Sequence, residues 1–430
     1  MKVLFVYPGF ERHSQAHPEL KQWVPMNEYL GSPSLGLATI AAVTPRGIEL
    51  EYRDDRVTPA DSPTDADLVA MSFFTPATTR AFALAKYFRG QGKPVVAGGI
   101  FPTAMPQECA PHFDAVVVGE GERLWPKLLA DFQAGALRSE YGEDQAFALE
   151  DAPLPKVSMY FGAETDGFRP DDYPVQLSRG CPLKCQACVL PLSMRRTIRE
   201  HTLPHALSQL WQLKRAGKRA CLTEDTSWFP GRPANALKAL FRAMIAEGLE
   251  ASISYIGISM PQLLVASDEL LLLAREAGVG MFYLVGGFDP ITTRAFTGHD
   301  ATALERAHRA VARAHTARIE PYTSFLLGND ADDLQTVDRM LAFASASGIT
   351  KAEFAIFTPY PGTPAWDRLN AEGRITSRAW HRYNDANVVF RPAQMTAAEL
   401  TDGYLRLWRE FYAGKGEWAQ RGQAERTIQF

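Results

Sequence analysis

A chain of 430 residues, 46% apolar and 22% charged, has the material for two or three domains and the balance of an ordinary globular protein. A net charge of −4 leaves no basic tract for nucleic acid or an anionic membrane, and no stretch approaches the roughly 20 apolar residues that span a bilayer. The opening MKVLFVYPGF has one lysine and a short apolar run before Pro8 and Gly9, so it reads as a strand and not as a signal peptide, which places the five cysteines in a reducing cytoplasm.

Residues 1–135 alternate strand and helix patterns. KVLFVYPG (2–9), IELEYRDDR (48–56), ADLVAMSFF (66–74), KPVVAGGI (93–100) and DAVVVGEGE (114–122) are strand candidates, with helical periodicity at 34–43 and 77–92 between them. This predicts an α/β, Rossmann-like, doubly wound domain whose strand ends carry YPG, SFFT, GGIFPT and GEGE. Glycine-rich strand ends let backbone N–H groups approach a nucleotide or phosphate, although ordinary turn chemistry accounts for them equally. The first strand is not followed by GxGxxG, which argues against a dinucleotide oxidoreductase.

Residues 136–172, rich in Gly, Pro and acids, read as a crossing linker. From 173 to 370 six apolar runs, at 173–180, 219–225, 251–259, 280–288, 318–328 and 351–360, alternate with helical patterns, several closed by glycine. Six βα repeats predict a parallel sheet with right-handed crossovers, and residues at the C-terminal strand ends become the functional candidates. Residues 371–430 carry helical patterns and form a small C-terminal cap with Trp380, His381, Tyr383 and Trp408, for which packing is the first expectation and a substrate mouth the second.

At the end of the first of these strands stands QLSRGCPLKCQACVLP, with Cys181, Cys185 and Cys188 spaced four and three residues apart. Thiolates suit zinc, copper(I) and iron–sulfur clusters, but a structural zinc site needs four ligands. Cys109 and Cys221 are distant in sequence, and His201 and His205 fall at no usual zinc-finger spacing. Three thiolates on a short loop suit a four-iron cubane with one open iron; zinc and inert core cysteines are the alternatives.

Cys-x3-Cys-x2-Cys after a strand resembles the radical S-adenosylmethionine (SAM) superfamily. The resemblance implies a [4Fe-4S] cluster on Cys181, Cys185 and Cys188, SAM on the fourth iron, a 5′-deoxyadenosyl radical, and a six-strand partial (β/α)6 barrel. One departure is Ala187, where that family usually has an aromatic residue near the adenine. At the other strand ends the candidate SAM contacts are Glu224, Ser259, Gly286, Gly287, Asp289 and Ser324. Helix capping by Glu224 and Asp225, and simple turns at the two glycines, are the plain alternatives. Arg195, Arg196 and Arg199 follow the loop and suit an anionic group or a solvated charge run.

The ordered set YPGF, PSLGLATIAA, DDR, MSFFT, VVAGGIFPTAMP and DAVVVGEGE upstream of that core, with PYPGTP after the sixth strand, resembles the cobalamin-dependent radical SAM class over roughly residues 1–410. It implies cobalamin at Tyr7, Pro8, Ser72, Thr75, Gly98, Gly99, Gly119, Glu120 and Gly121. DxHxxG is absent and His13, His17 and His112 lack that context, so the resemblance implies cobalt without a protein imidazole. A methylthiotransferase would need a second cysteine trio, and the N-terminal region has Cys109 alone.

The leading expectation is a methyltransferase acting on an unactivated carbon through the radical and methylcobalamin, with an external one-electron donor such as flavodoxin or ferredoxin. Cyclisation, ring rearrangement or oxidation without methyl transfer is the alternative, and a noncatalytic cobalamin-responsive protein the third reading. No nucleic acid is expected as a partner. The small-molecule substrate stays open among tetrapyrroles, isoprenoid lipids and natural-product intermediates.

Overall fold

The computed structural model describes residues 1–24, 33–164, 170, 172–183, 185–222, 228–287 and 289–413. Strands β1 (Lys2–Tyr7), β2 (Glu49–Asp54), β3 (Leu68–Ser72), β4 (Val95–Gly98), β5 (Ala115–Val118) and β6 (Glu140–Gly142) form one sheet in the order β2-β1-β3-β4-β5-β6. Every pair is parallel. Such a sheet needs cover on both faces, and β1 shows it residue by residue. Val3 and Phe5 pack with the helices Leu35–Val43 and Leu124–Gln133, while Leu4 and Val6 pack with the helix Thr78–Gly90.

The sixth strand falls in the segment expected to be a linker. It is three residues long and buries only Tyr141, whose hydroxyl donates to Asp131 at 3.0 Å. One buried side chain in three leaves no periodicity to read.

The second sheet contains β7 (Asp172–Val175), β10 (Arg219–Leu222), β11 (Ile253–Ser259), β12 (Met281–Val285), β13 (Glu320–Leu327) and β14 (Lys351–Ile356), parallel and in sequential order. Between its first two strands a short antiparallel pair, β8 (Ser178–Arg179) and β9 (Arg199–Glu200), closes the base of the cysteine loop. On one face of the sheet Ile256, Phe282, Phe325 and Phe354 join a core with the surrounding helices. On the other, Tyr283 stacks on Tyr322 with ring centroids 5.7 Å apart and donates to Glu353. Branched aliphatics usually fill a barrel lumen, so this polar, aromatic face is available for something other than packing.

The C-terminal region ties the two sheets together. The helix Ala397–Tyr412, started by a Thr396/Glu399 capping box, lies on β14 with Trp408 against Phe354 at 5.4 Å. Residues 372–396 hold no α-helix, only the 3₁₀ turn Trp380–Arg382. Trp380 packs on Phe101 of the first sheet's core at 5.2 Å, and Tyr383 is fully buried there. Trp380, Tyr383 and Trp408 are therefore packing residues, and His381 is exposed. Among the described residues no helix is long and apolar enough to cross a membrane.

Candidate functional site

The first sheet reverses its winding between β1 and β3, and a cleft opens where that reversal places it, at the C-terminal strand ends. About 870 Å³ of space, its mouth included, lies between the sheet and the helix Leu35–Val43. Phe5, Leu37, Ile40, Val96, Val117 and Trp125 make an apolar wall. Ser72, Gly98, Gly99, Gly119, Glu120 and Gly121 also line it, as expected of candidate contacts, whereas Tyr7, Pro8 and Thr75 do not. Tyr7 faces Arg56, whose guanidinium carbon is 4.6 Å from its ring centre, and Thr75 is buried at the start of a 3₁₀ turn.

The glycines divide by what they do. A Cβ on Gly99, whose φ is +102°, would stand 2.8 Å from the Phe73 carbonyl oxygen, so this glycine allows two loops to close together. A Cβ on Gly119 would meet nothing within 4 Å, and one on Gly98 only Val117 at 3.9 Å. Those two keep open space open, and so make a cradle that side chains would fill. Thr103 fixes the rim, donating to Gly99 O at 2.7 Å and accepting from Gly119 N at 3.0 Å. Among the described residues no histidine lines the cleft: His112 stacks on Phe82 at 3.9 Å, His13 bonds the Tyr404 hydroxyl, and His17 bonds Ala386 O. The cradle suits the tail of a corrinoid held without a protein imidazole.

The cysteine loop rises from β8 and β9. Gly180, with φ +99°, makes the turn into Cys181, and a Cβ there would stand 2.1 Å from Thr197 O. Cys181 N donates to Arg195 O at 3.1 Å. Cys181 and Ala187 are buried, Cys185 and Cys188 half-buried, and Pro182, Leu183 and Gln186 exposed. Burial first, then the neighbouring Cys181 and Asp289, push the Cys185 thiol up. Thiols held neutral release protons on binding metal, which couples loading of this loop to pH. Among the described residues no three His, Cys, Asp or Glu converge on a point that one ion would occupy. A cubane takes one thiolate per iron, so its ligands stand apart in a way that those of a mononuclear site do not. Cys109 is buried elsewhere, its thiol pushed up to about 12 by burial, and Cys221 is buried in β10. The donor set fits a cluster.

Of the expected SAM contacts, Glu224 and its neighbour Asp225 lie outside the described residues. Ser259 caps the helix Met260–Val265, with its N–H and hydroxyl both directed to Gln262 Oε1. Asp289, near Cys185, likewise caps: it accepts from Ile291 N at 2.8 Å and from Thr292 Oγ1 at 2.6 Å, and burial pushes its carboxyl up. Gly286 and Gly287 are close approaches, since their Cβ atoms would stand 2.2 Å from Ser324 O and 2.1 Å from Leu326 Cβ. Ser324, on β13, bonds Glu353 within the polar face of the sheet.

Cleft and loop are joined. Arg179, two residues before Cys181, donates to Glu122 and, at 3.1 Å, to Glu120 of the GEGE loop. Arg199, at the other foot of the loop, reaches both Glu120 oxygens at 2.9 Å and Phe147 O at 2.6 Å. Arg179, Glu120 and Glu122 are 7%, 6% and 5% exposed, so removing one partner would strand a buried charge, at about 3–5 kcal/mol. Arg179, Ser193 and Met194 of the second domain complete the cleft lining. A third contact comes from PYPGTP: a Cβ on Gly362, with φ +81°, would stand 2.5 Å from Leu192 and 3.3 Å from Ala104. Ala365 N also donates to Gln186 O at 2.9 Å. Sequence reading missed Arg179 and Glu122, although opposite charges on two strand-end motifs, GEGE and SRGC, were the available signal. It also missed Glu353 and Asp385. Asp385 accepts from Tyr360 at 2.8 Å in left-handed backbone (φ +61°), and burial raises its pKa to about 6.

Residues 30–129 match the B12 binding domain family, and residues 363–421 match a domain of unknown function, DUF4070. The chain has the architecture of the cobalamin-dependent radical SAM class. It is 24% identical over 401 residues to the bacteriochlorophyllide d C-8(2)-methyltransferase of Chlorobaculum tepidum, covering 89% of this chain and 86% of that one. It is 21% identical to the anaerobic magnesium-protoporphyrin IX monomethyl ester cyclase of Rubrivivax gelatinosus, covering 96% and 78%. Among solved structures, the radical SAM methyltransferase TsrM from Kitasatospora setae, with cobalamin and a [4Fe-4S] cluster bound, superposes with a TM-score of 0.62 at 16% identity, covering 95% and 85%.

Proposed function

We propose that this chain is a cobalamin-dependent radical SAM C-methyltransferase acting on a small molecule, with units at 1–135, 173–370 and 371–430 and a crossing segment at 136–172. One observation carries it: a glycine-lined, largely apolar cleft at the strand ends and a three-thiolate loop share a wall, joined through Arg179. Cys181, Cys185 and Cys188 hold the [4Fe-4S] cluster, and Gly286 and Gly287 give SAM a backbone surface beside Asp289, Ser259 and Ser324. Gly98, Gly99, Gly119 and Gly121, with Ser72 and Glu120, cradle cobalamin. When bound, the cluster with SAM supplies a radical that takes hydrogen from a substrate carbon, and the corrinoid carries the methyl group that replaces it.

The chain's own task is alignment. Strand ends fix the loop, the apolar cleft excludes water, and the face bearing Tyr283, Tyr322 and Glu353 is offered to the substrate. Electrons come from an external one-electron donor such as a flavodoxin or ferredoxin in the cytoplasm. A cyclase among the relatives favours one alternative, radical cyclisation or oxidation without methyl transfer. Incubating the reconstituted enzyme with methyl-labelled SAM and candidate tetrapyrroles or isoprenoid lipids separates the two readings. Label in the product supports methyl transfer, and a new product without label supports the alternative.

A further inference from the structure

The clasp between GEGE and the cysteine loop goes further than holding two domains together. Glu120 lies on the lip of the cleft and accepts from both feet of the loop, Arg179 on β8 and Arg199 on β9. Arg199 Nη2 also donates at 2.9 Å to the carbonyl of Met194, which itself lines the cleft. The next residue, Arg195, lends its carbonyl to Cys181 N, and its guanidinium reaches Glu143 O at 2.8 Å back in the first domain. Arg195 does this from left-handed backbone, φ +66°, outside the comfortable region for a side chain with a Cβ. The same few residues thus form a wall of the cleft and the foundation of the loop.

From this arrangement we infer that corrinoid binding and cluster loading are thermodynamically coupled, with Arg179 as the positioning residue that transmits the coupling. The inference rests on the cofactor reading proposed above. The loop is hydrogen-bonded at its feet and also at its exposed tip, where the carbonyls of Leu183 and Gln186 accept from Arg196 and from Ala365 N. Loading fixes the three thiolates of Cys181, Cys185 and Cys188 in place and, through the feet of the loop, Ser193 and Met194 against the cleft. A corrinoid entering a cleft with that wall already fixed loses less freedom, and by reciprocity a filled cleft favours the loaded loop. Glu120 and Glu122 both hold Arg179, so loss of one carboxylate weakens the link and loss of the guanidinium removes it.

The test is a titration of the full chain with hydroxocobalamin, read by absorbance after desalting, on cluster-free and cluster-loaded protein. Wild type is expected to bind at least about fivefold more tightly when loaded, in the ordinary range for coupled sites. In Arg179→Gln the two affinities should come within about twofold of each other, and Glu122→Gln should fall between. Circular dichroism confirms that each variant is folded, and Glu122→Gln, which leaves Arg179 paired with Glu120, carries the test if Arg179→Gln does not fold. Equal affinities in loaded and unloaded wild type would overturn the coupling and leave the cofactor reading standing. A ratio unchanged by either substitution would overturn the role of Arg179. No corrinoid binding in any form would overturn both the coupling and the cofactor reading.

Discussion

The two sheets build their sites in opposite ways. The cleft in the first domain is walled by buried strand ends and a packed helix, with space left by Gly98 and Gly119 and a rim fixed by Thr103. The cysteine loop in the second domain has a buried foot at Cys181 and an exposed tip, where the carbonyls of Leu183 and Gln186 accept from Arg196 and from Ala365 N. A preformed cavity takes its ligand with little reorganisation, whereas a loop of this kind gains much of its order from the metal it binds. Damage to the cleft should therefore appear as lost affinity, and damage to the loop as lost cofactor.

The largest expected effect follows from Cys185→Ser, which leaves two of three anchoring thiolates. Iron after anaerobic reconstitution should drop from about four per chain to below about one, with SAM cleavage abolished. Next is Gly180→Ala, which places a Cβ 2.1 Å from Thr197 O at a φ of +99°. The β8–β9 foot cannot close over it, so iron retention should fall by more than half while all three thiols remain titratable.

Gly99→Ala makes the same kind of insult to the cleft, with a Cβ 2.8 Å from Phe73 O. Corrinoid affinity should weaken about tenfold, a loss near 1.4 kcal/mol, with iron content kept. Iron lost as completely as corrinoid, beyond what the coupling inferred above would pass on, would show that the two regions do not differ as described.

The smallest effect is a pH dependence. Burial raises the Asp385 pKa from 3.8 to about 6. Between those values the folded protein holds a proton that the unfolded chain has released, so this group's contribution to stability is present below about pH 4 and lost as pH rises to about 6. Asp385→Asn keeps an acceptor for Tyr360, tolerates the φ of +61°, and removes the titration. Urea midpoints at pH 4.5 and pH 7.5 should show wild type gaining on the variant at the lower pH. The gain should stay below about 3 kcal/mol, because Asp385 is only half-buried.

The elements visible in the sequence were those with strong periodicity. Five strands of the first sheet and five of the second lie within the runs read from apolar pattern, and β7 overlaps its run but starts one residue earlier, at Asp172. β6 escaped because it buries only Tyr141. At GGIF and GEGE the sequence offered glycines that suit either a ligand or a turn, and the structure gives both: Gly98 and Gly119 leave open space, while Gly99 lets two loops close together. Tyr7 and Thr75 lie outside the cleft lining for local reasons that no strand pattern shows: Tyr7 shares the face of Phe5 but pairs with Arg56, and Thr75 is buried in a 3₁₀ turn. The clasp of Arg179 with Glu120 and Glu122 was hidden for a different reason: its partners are separated by 57 and 59 residues, and no local pattern links them.

The central claim is that one chain holds two cofactors side by side. The most direct test is to reconstitute the protein anaerobically with iron, sulfide and hydroxocobalamin, desalt it, and count both metals alongside the absorption spectrum. About four irons and about one cobalt per chain are expected. Folded protein that retains iron without cobalt, or cobalt without iron, would contradict the account.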